Sequence, residues 1–155
     1  MINEIEKTSI KKKIIGLTPF RETGGIIGFL LISFIASAQP SYRVVFDMTS
    51  KDTSNQQAII RQLQGIKAAN PSAQLEVVIY GEGADLIIKQ KSAQESQVIQ
   101  LIANKQARFT VCGMTLKRKN IDKSQLIEGV EIVDDGIYEI IKRQGEGWGY
   151  IKVGN

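Results

Sequence analysis

The chain has 155 residues, 43% apolar and 23% charged, the size and balance of one globular domain. It has no histidine and a single cysteine, Cys112. That excludes imidazole acid–base catalysis, Ser-His and Cys-His pairs, imidazole-ligated zinc, CxxC redox motifs and an intrachain disulfide. The net charge of +4 is uneven: residues 1–38 hold five Lys/Arg and three acids, leaving 15 bases and 13 acids, a net of +2, for residues 39–155. Beyond residue 38 the basic residues cluster only at Lys117–Lys119, without the aromatic interleaving of a nucleic-acid surface, so no nucleic-acid partner is expected.

In chain order the first feature is I-I-G-F-L-L-I-S-F-I, residues 26–35. A bilayer-spanning helix needs about 20 such residues. This shorter run follows basic residues, and Ala36 and Ala38 sit at the small-residue positions of an A-x-A site. The pattern is that of a secretory signal cut after Ala38. The expectation is a signal peptide over residues 1–38 and one exported α/β domain over 39–155, periplasmic or otherwise extracytoplasmic, with no membrane span in the mature chain.

Arg43 to Met48, R-V-V-F-D-M, reads as a buried first strand. Ser54 to Gln57 fits a capping box, and Ile59, Leu63 and Ile66 follow at helical spacing. Asn70-Pro71 ends that helix. Leu75 to Tyr80 is a second strand running into Gly81-Glu82-Gly83. The third glycine of a dinucleotide fingerprint is missing, since Leu86 stands in its place, so these are turn glycines. Ala84 to Ile88 is open between a short helix and an extended segment. Ser92 to Glu95 suggests another capping box before a helix bearing Val98, Ile99, Leu101 and Ile102.

A third strand, Arg108–Cys112, is followed by Gly113 and the basic triplet, read as a turn and a charged loop. Asp122 sits as an N-cap between Ile121 and Leu126 at hydrophobic-staple spacing, marking a short helix through about Ile127. Gly129 breaks it, Val130–Val133 forms a fourth strand, and Asp134-Asp135 caps a helix with Ile137, Ile140 and Ile141 on its apolar face. Trp148–Val153 completes the sheet. Strands alternating with helical crossovers are parallel and need helices on both faces. The expected fold is a three-layer α/β/α sandwich with a mostly parallel sheet of about five strands.

Four stretches carry a family resemblance: Y-R-V-V-F-D-M-T-S, V-V-I-Y-G-E-G, F-T-V-C-G-M-T-L and the C-terminal G-V-E-I-V-D-D-G-I-Y-E-I-I-K-R-Q-G-E-G-W-G-Y-I-K. In order and spacing the chain resembles the DsrE/DsrF-like family over nearly all of residues 42–153. The resemblance implies a flavodoxin-like layered fold and a homo-oligomer, often a trimer or hexamer in that family. In its sulfur-relay members a cysteine carries a persulfide, and Cys112 lies where that cysteine is expected. Sulfur donor and acceptor proteins would then be partners. The well-known relay members are cytoplasmic, whereas this chain carries an export pattern.

Parallel strands present their carboxyl ends to the usual ligand crevice. Cys112 falls at such an end, with Asp47 and Tyr80 as candidate crevice-lining residues. A thiolate attacks sulfur electrophiles, and its pKa falls beside cations or helix N-termini. Gly113, Lys117, Arg118 and Lys119 are therefore candidate anion-binding or thiolate-stabilising residues. Two functions stay open: a sulfur carrier or sulfurtransferase-like protein using Cys112, and a non-enzymatic binding module with an incidental buried cysteine. No cofactor and no metal site are expected.

Overall fold

The computed structural model describes residues 41–154. The apolar run at 26–35 and the cleavage motif at Ala36–Ala38 lie outside the described residues. Five strands, β1 (Arg43–Met48), β2 (Gln74–Ile79), β3 (Arg108–Cys112), β4 (Glu131–Val133) and β5 (Gly149–Val153), form one parallel sheet in the order β4-β3-β2-β1-β5. Four α-helices accompany them: α1 (Thr53–Ala69), α2 (Glu95–Ala103), α3 (Gly113–Lys119) and α4 (Gly136–Gly145). Among the described residues no helix is long and apolar enough to cross a membrane.

The layering follows from the handedness of the crossovers. From β1 to β4 each strand is laid on the same side of its predecessor. Right-handed connections then place the first three crossovers on one face. Only the return from β4 to β5 reverses direction, and its helix α4 crosses the opposite face. The core records this division. On the first face Phe46, Val77, Ile79, Phe109 and Val111 pack with Ile59 and Leu63 of α1 and with Val98 and Leu101 of α2. Burying each such side chain contributes about 1.5–3 kcal/mol. On the second face the buried apolar cluster is small: Val45, Val78 and Ile140, with Tyr80 and Trp148 packed against it. Arg143 lies 5.0 Å from the centroid of the Trp148 ring.

The rest of the second face is polar. Glu76 is fully buried there. It accepts hydrogen bonds from Thr110 Oγ1 at 2.8 Å and Arg143 Nε at 2.6 Å. Arg143 also pairs with Glu139 and Glu146, so the buried carboxylate and its guanidinium are both compensated, as a low-dielectric site requires.

Several local readings are corrected. Helix α1 begins at Thr53, capped by Asp52, whose carboxylate accepts from Ser54 N at 2.8 Å; Ser54 is inside the helix and not its cap. Helix α2 begins only at Glu95, without a side-chain cap. Ser92 Oγ instead accepts from Gln94 N, and the Glu95 carboxylate reaches back to Gln90 N, so these groups close the preceding loop. Gly81–Ile87 is a 3-10 helix. Asp122 is the N-cap, as expected, its carboxylate accepting from Ser124 N while its own N–H donates to Gln125 Oε1, but the helix it opens is one 3-10 turn, Lys123–Gln125. The charged loop expected after Cys112 is helical, as α3. Ile137 and Ile141, read as core-facing, are exposed at 56% and 59%.

Candidate functional site

Strand alternation decides which side chains meet Cys112. Ile79 pairs with Val111 and Asp47 with Val78. Tyr80, one residue beyond β2, is therefore level with Cys112. Asp47, Val78, Tyr80, Thr110 and Cys112 share the face crossed by α4. Helix α4 starts directly above them. Its N-cap Asp135 accepts from the N–H groups of Ile137 and Tyr138. The first helical residue must be small: a Cβ on Gly136 would lie 3.1 Å from Cys112 Cβ, 3.3 Å from Val78 Cγ1 and 3.6 Å from Tyr80 Cδ1.

Cys112 is the residue before α3 and is 5% exposed. Its thiol donates weakly to the Asp134 carbonyl at 3.9 Å. Burial pushes the thiol pKa up, but the Gly136 N–H, the Thr115 N–H and hydroxyl, and the Met114 N–H outweigh it and hold the thiol below its ordinary value of 9.0. Backbone dipoles from two chain segments thus converge on the sulfur and favour its anion. Thr115 is itself fixed. It is buried, and its Oγ1 accepts from Gly81 N at 3.1 Å.

The wall beside the thiol is a carboxylate between two phenols. Asp47 is 5% exposed. Its Oδ2 accepts from Tyr150 OH at 2.7 Å, and the Tyr80 phenol hydrogen-bonds to the same carboxylate. Burial, and then the charge of Asp47, push the Tyr80 phenol up to about 12. Tyr80 therefore stays protonated at any physiological pH and can donate a hydrogen bond but cannot serve as a base.

The other sequence candidates lie apart from the sulfur. Lys117, Arg118 and Lys119 occupy the last turn of α3, whereas Cys112 stands at its opposite end. Lys119 Nζ is bonded to Glu82 at 2.8 Å. Gly113 makes room for the backbone: a Cβ there would lie 3.2 Å from the Val133 carbonyl oxygen. Sequence reasoning missed Thr115, Gly136 and Tyr150. Tyr150 carried a usable signal, because strand alternation in G-Y-I-K-V puts it on the face opposite Val153. A cavity of about 470 Å³ opens at the other, amino end of the strands, between Ala107, Arg108, Glu131 and Trp148. Within it Arg108 pairs with Glu131 at 2.6 Å and approaches Glu76 at 3.6 Å, and Lys105 also lines the cavity. Among the described residues no cluster of acids and cysteine could hold a metal ion.

The fold and the cysteine strand can be set beside known proteins. The model of the DsrE/DsrF-like family matches residues 42–153. No curated protein matches the chain. Among solved structures, MTH1491 from Methanobacterium thermoautotrophicum, a protein of unknown function, is 34% identical with a TM-score of 0.68, covering 72% of this chain and 99% of that one. The YchN protein of E. coli superposes with a TM-score of 0.61 at 10% identity, covering 73% and 99%. BT1422 from Bacteroides thetaiotaomicron, also of unknown function, does so at 0.61 and 9%, covering 72% and 95%. At those last two identities the likeness speaks for the fold alone. The family match spans the whole sheet together with the cysteine strand, and the chain belongs to the DsrE/DsrF-like family.

Proposed function

We propose that this protein is an exported sulfur carrier in which Cys112 holds sulfane sulfur as a persulfide. The observation that carries the reading is the convergence of the Gly136, Thr115 and Met114 N–H groups on a thiol at the carboxyl end of β3, which lowers its pKa. The Cys112 thiolate attacks the outer sulfur of a donor persulfide R–S–SH. The new S–S bond forms, the donor's S–S bond breaks, and the electron pair leaves on R–S⁻, giving Cys112–S–SH. An acceptor thiolate then attacks that outer sulfur and frees Cys112 as the thiolate. Charge and sulfur balance in both steps, which follow the rules of thiol–disulfide exchange. Export is supported by the apolar run and the A-x-A motif of residues 26–38. A protein from the producing cell that begins at Gln39 supports it, and one that begins at Met1 contradicts it.

One observation favours a second reading, a binding module with an inert thiol: Cys112 is only 5% exposed. Intact mass separates the two. After treatment with a sulfane-sulfur donor, the carrier gains one sulfur, about 32 Da. Reductant removes the gain, and Cys112→Ser never shows it. Absence of the gain, with a thiol that maleimide reaches only on unfolding, establishes the inert module. Assembly into a homo-oligomer is supported by the apolar side chains that α4 turns outward beside the thiol: Ile137, Tyr138 and Ile141.

A further inference from the structure

The cavity at the amino ends of the strands is built from groups that the Cys112 site does not use. Its volume of about 470 Å³ lies within the range of about 300–1,000 Å³ typical of small-molecule sites. Leu75, Ile102, Ala107 and the half-buried Trp148 supply an apolar lining. Three cations share the space and differ in what remains free on them. Arg143 is spent: Nε meets Glu76, Nη1 meets Glu146 and Nη2 meets Glu139, and the guanidinium lies over the Trp148 ring. Arg108 gives Nε and Nη2 to Glu131. Its Nη1, 3.6 Å from Glu76, is too far for a hydrogen bond. Lys105 is exposed, and among the described residues its ammonium makes no ion pair. The carboxylate that lines the cavity, Glu131, has both oxygens engaged by Arg108. The charged groups left with bonding capacity are therefore donors, and they stand beside apolar surface.

We propose that this cavity is a binding site for a small organic carboxylate with an apolar body, the size of a phenyl or short alkyl group. Lys105 Nζ and Arg108 Nη1 receive the carboxylate, and Leu75, Ile102, Ala107 and Trp148 cover the body. An inorganic anion would use the donors and leave the apolar lining in water, whereas a neutral apolar molecule would do the opposite. A cationic ligand finds its one lining carboxylate already taken by Arg108 and meets the charge of Lys105. The assignment does not depend on the chemistry of Cys112. Arg108 opens β3 and Cys112 closes it, so the cavity and the thiol lie at opposite ends of one strand.

Trp148 is the single tryptophan of the chain, so its fluorescence reports on this cavity directly. The probes are butyrate, hexanoate and phenylacetate, with hexanamide and phenylacetamide as uncharged counterparts, titrated at constant ionic strength and followed by Trp148 emission and by calorimetry. Hexanoate and phenylacetate should bind saturably, with dissociation constants of about 1 mM or tighter. Affinity should rise about two- to fourfold for each methylene added from butyrate to hexanoate. Each amide should bind about fivefold more weakly than its acid. Lys105→Gln, at an exposed position that leaves the fold intact, should weaken phenylacetate binding about three- to fivefold, and Lys105→Arg should retain it. Cys112→Ser should bind as the wild type does. The proposal is overturned if no carboxylate gives a saturable change in emission or heat up to about 20 mM, if an amide binds as tightly as its acid, or if Lys105→Gln keeps full affinity. The wild-type comparison of acid with amide decides the matter without any variant.

Discussion

At Cys112 the chain resolves two opposing demands on a single sulfur. Removing it from water favours the neutral thiol, whereas the amide dipoles of Gly136, Thr115 and Met114 favour the anion, and the dipoles win. The sign of the consequence is definite. A depressed pKa raises the thiolate fraction at neutral pH, so alkylation by iodoacetamide should rise with pH to a midpoint below 9.0, the ordinary value. Gly136→Ala tests the same geometry. Its Cβ would press on Cys112 Cβ and Val78 Cγ1 at 3.1 and 3.3 Å, so α4 must shift outward. Overpacking of this kind costs about 1–3 kcal/mol. The expected outcome is a lower melting temperature, with an alkylation midpoint moved towards higher pH as the Gly136 dipole recedes. An unchanged midpoint would mean that this amide does not act on the sulfur.

Among the elements, the strands were the most legible, because short β-branched and apolar runs bounded by turn residues favour strands over helices. Arg43–Met48 and Arg108–Cys112 have the expected bounds. Helix α3 was invisible. Only Thr115 and Leu116 of its seven residues are buried, which leaves no periodicity to detect, and a helix this short is stable only through tertiary contacts. The candidate site was legible in the same uneven way. Cys112, Asp47 and Tyr80 could be named because each lies at or next to the carboxyl end of a strand. Thr115 and Gly136 could not, because their roles arise from Gly81 and from α4, which only the folded chain brings near. Helix α4 couples its own stability to the site through Asp135. Losing this cap in Asp135→Ala should cost about 1 kcal/mol. Fraying of that end should also lower the thiolate fraction at Cys112, and with it the alkylation rate. Thermal denaturation and the alkylation rate, measured on one sample, should move together. If stability falls while the rate holds, the helix start is not what tunes the thiol.

For the whole molecule, the order β4-β3-β2-β1-β5 has a consequence that no local pattern carries. Handed crossovers give three of the four connections to one face and a single helix to the other. Helix α4 has its three isoleucines at positions 137, 140 and 141, yet only Ile140 finds the sheet; Ile137, Tyr138 and Ile141 stay 56%, 66% and 59% exposed. The periodicity was real, but a helix lying alone on its face has no second layer to receive the remainder. A contiguous apolar stripe of this kind marks a contact surface. In the homo-oligomer proposed above, a second copy covers this stripe. Ile137→Lys with Ile141→Lys should therefore weaken self-association, because burying two ammonium groups at a former apolar contact is strongly unfavourable. Because both side chains already face water in the single chain, the circular dichroism spectrum should be unchanged. Sedimentation velocity gives the answer directly: a wild-type oligomer that the double variant converts to monomer fits this surface, and an oligomer of unchanged size in the variant places the contact elsewhere on the molecule.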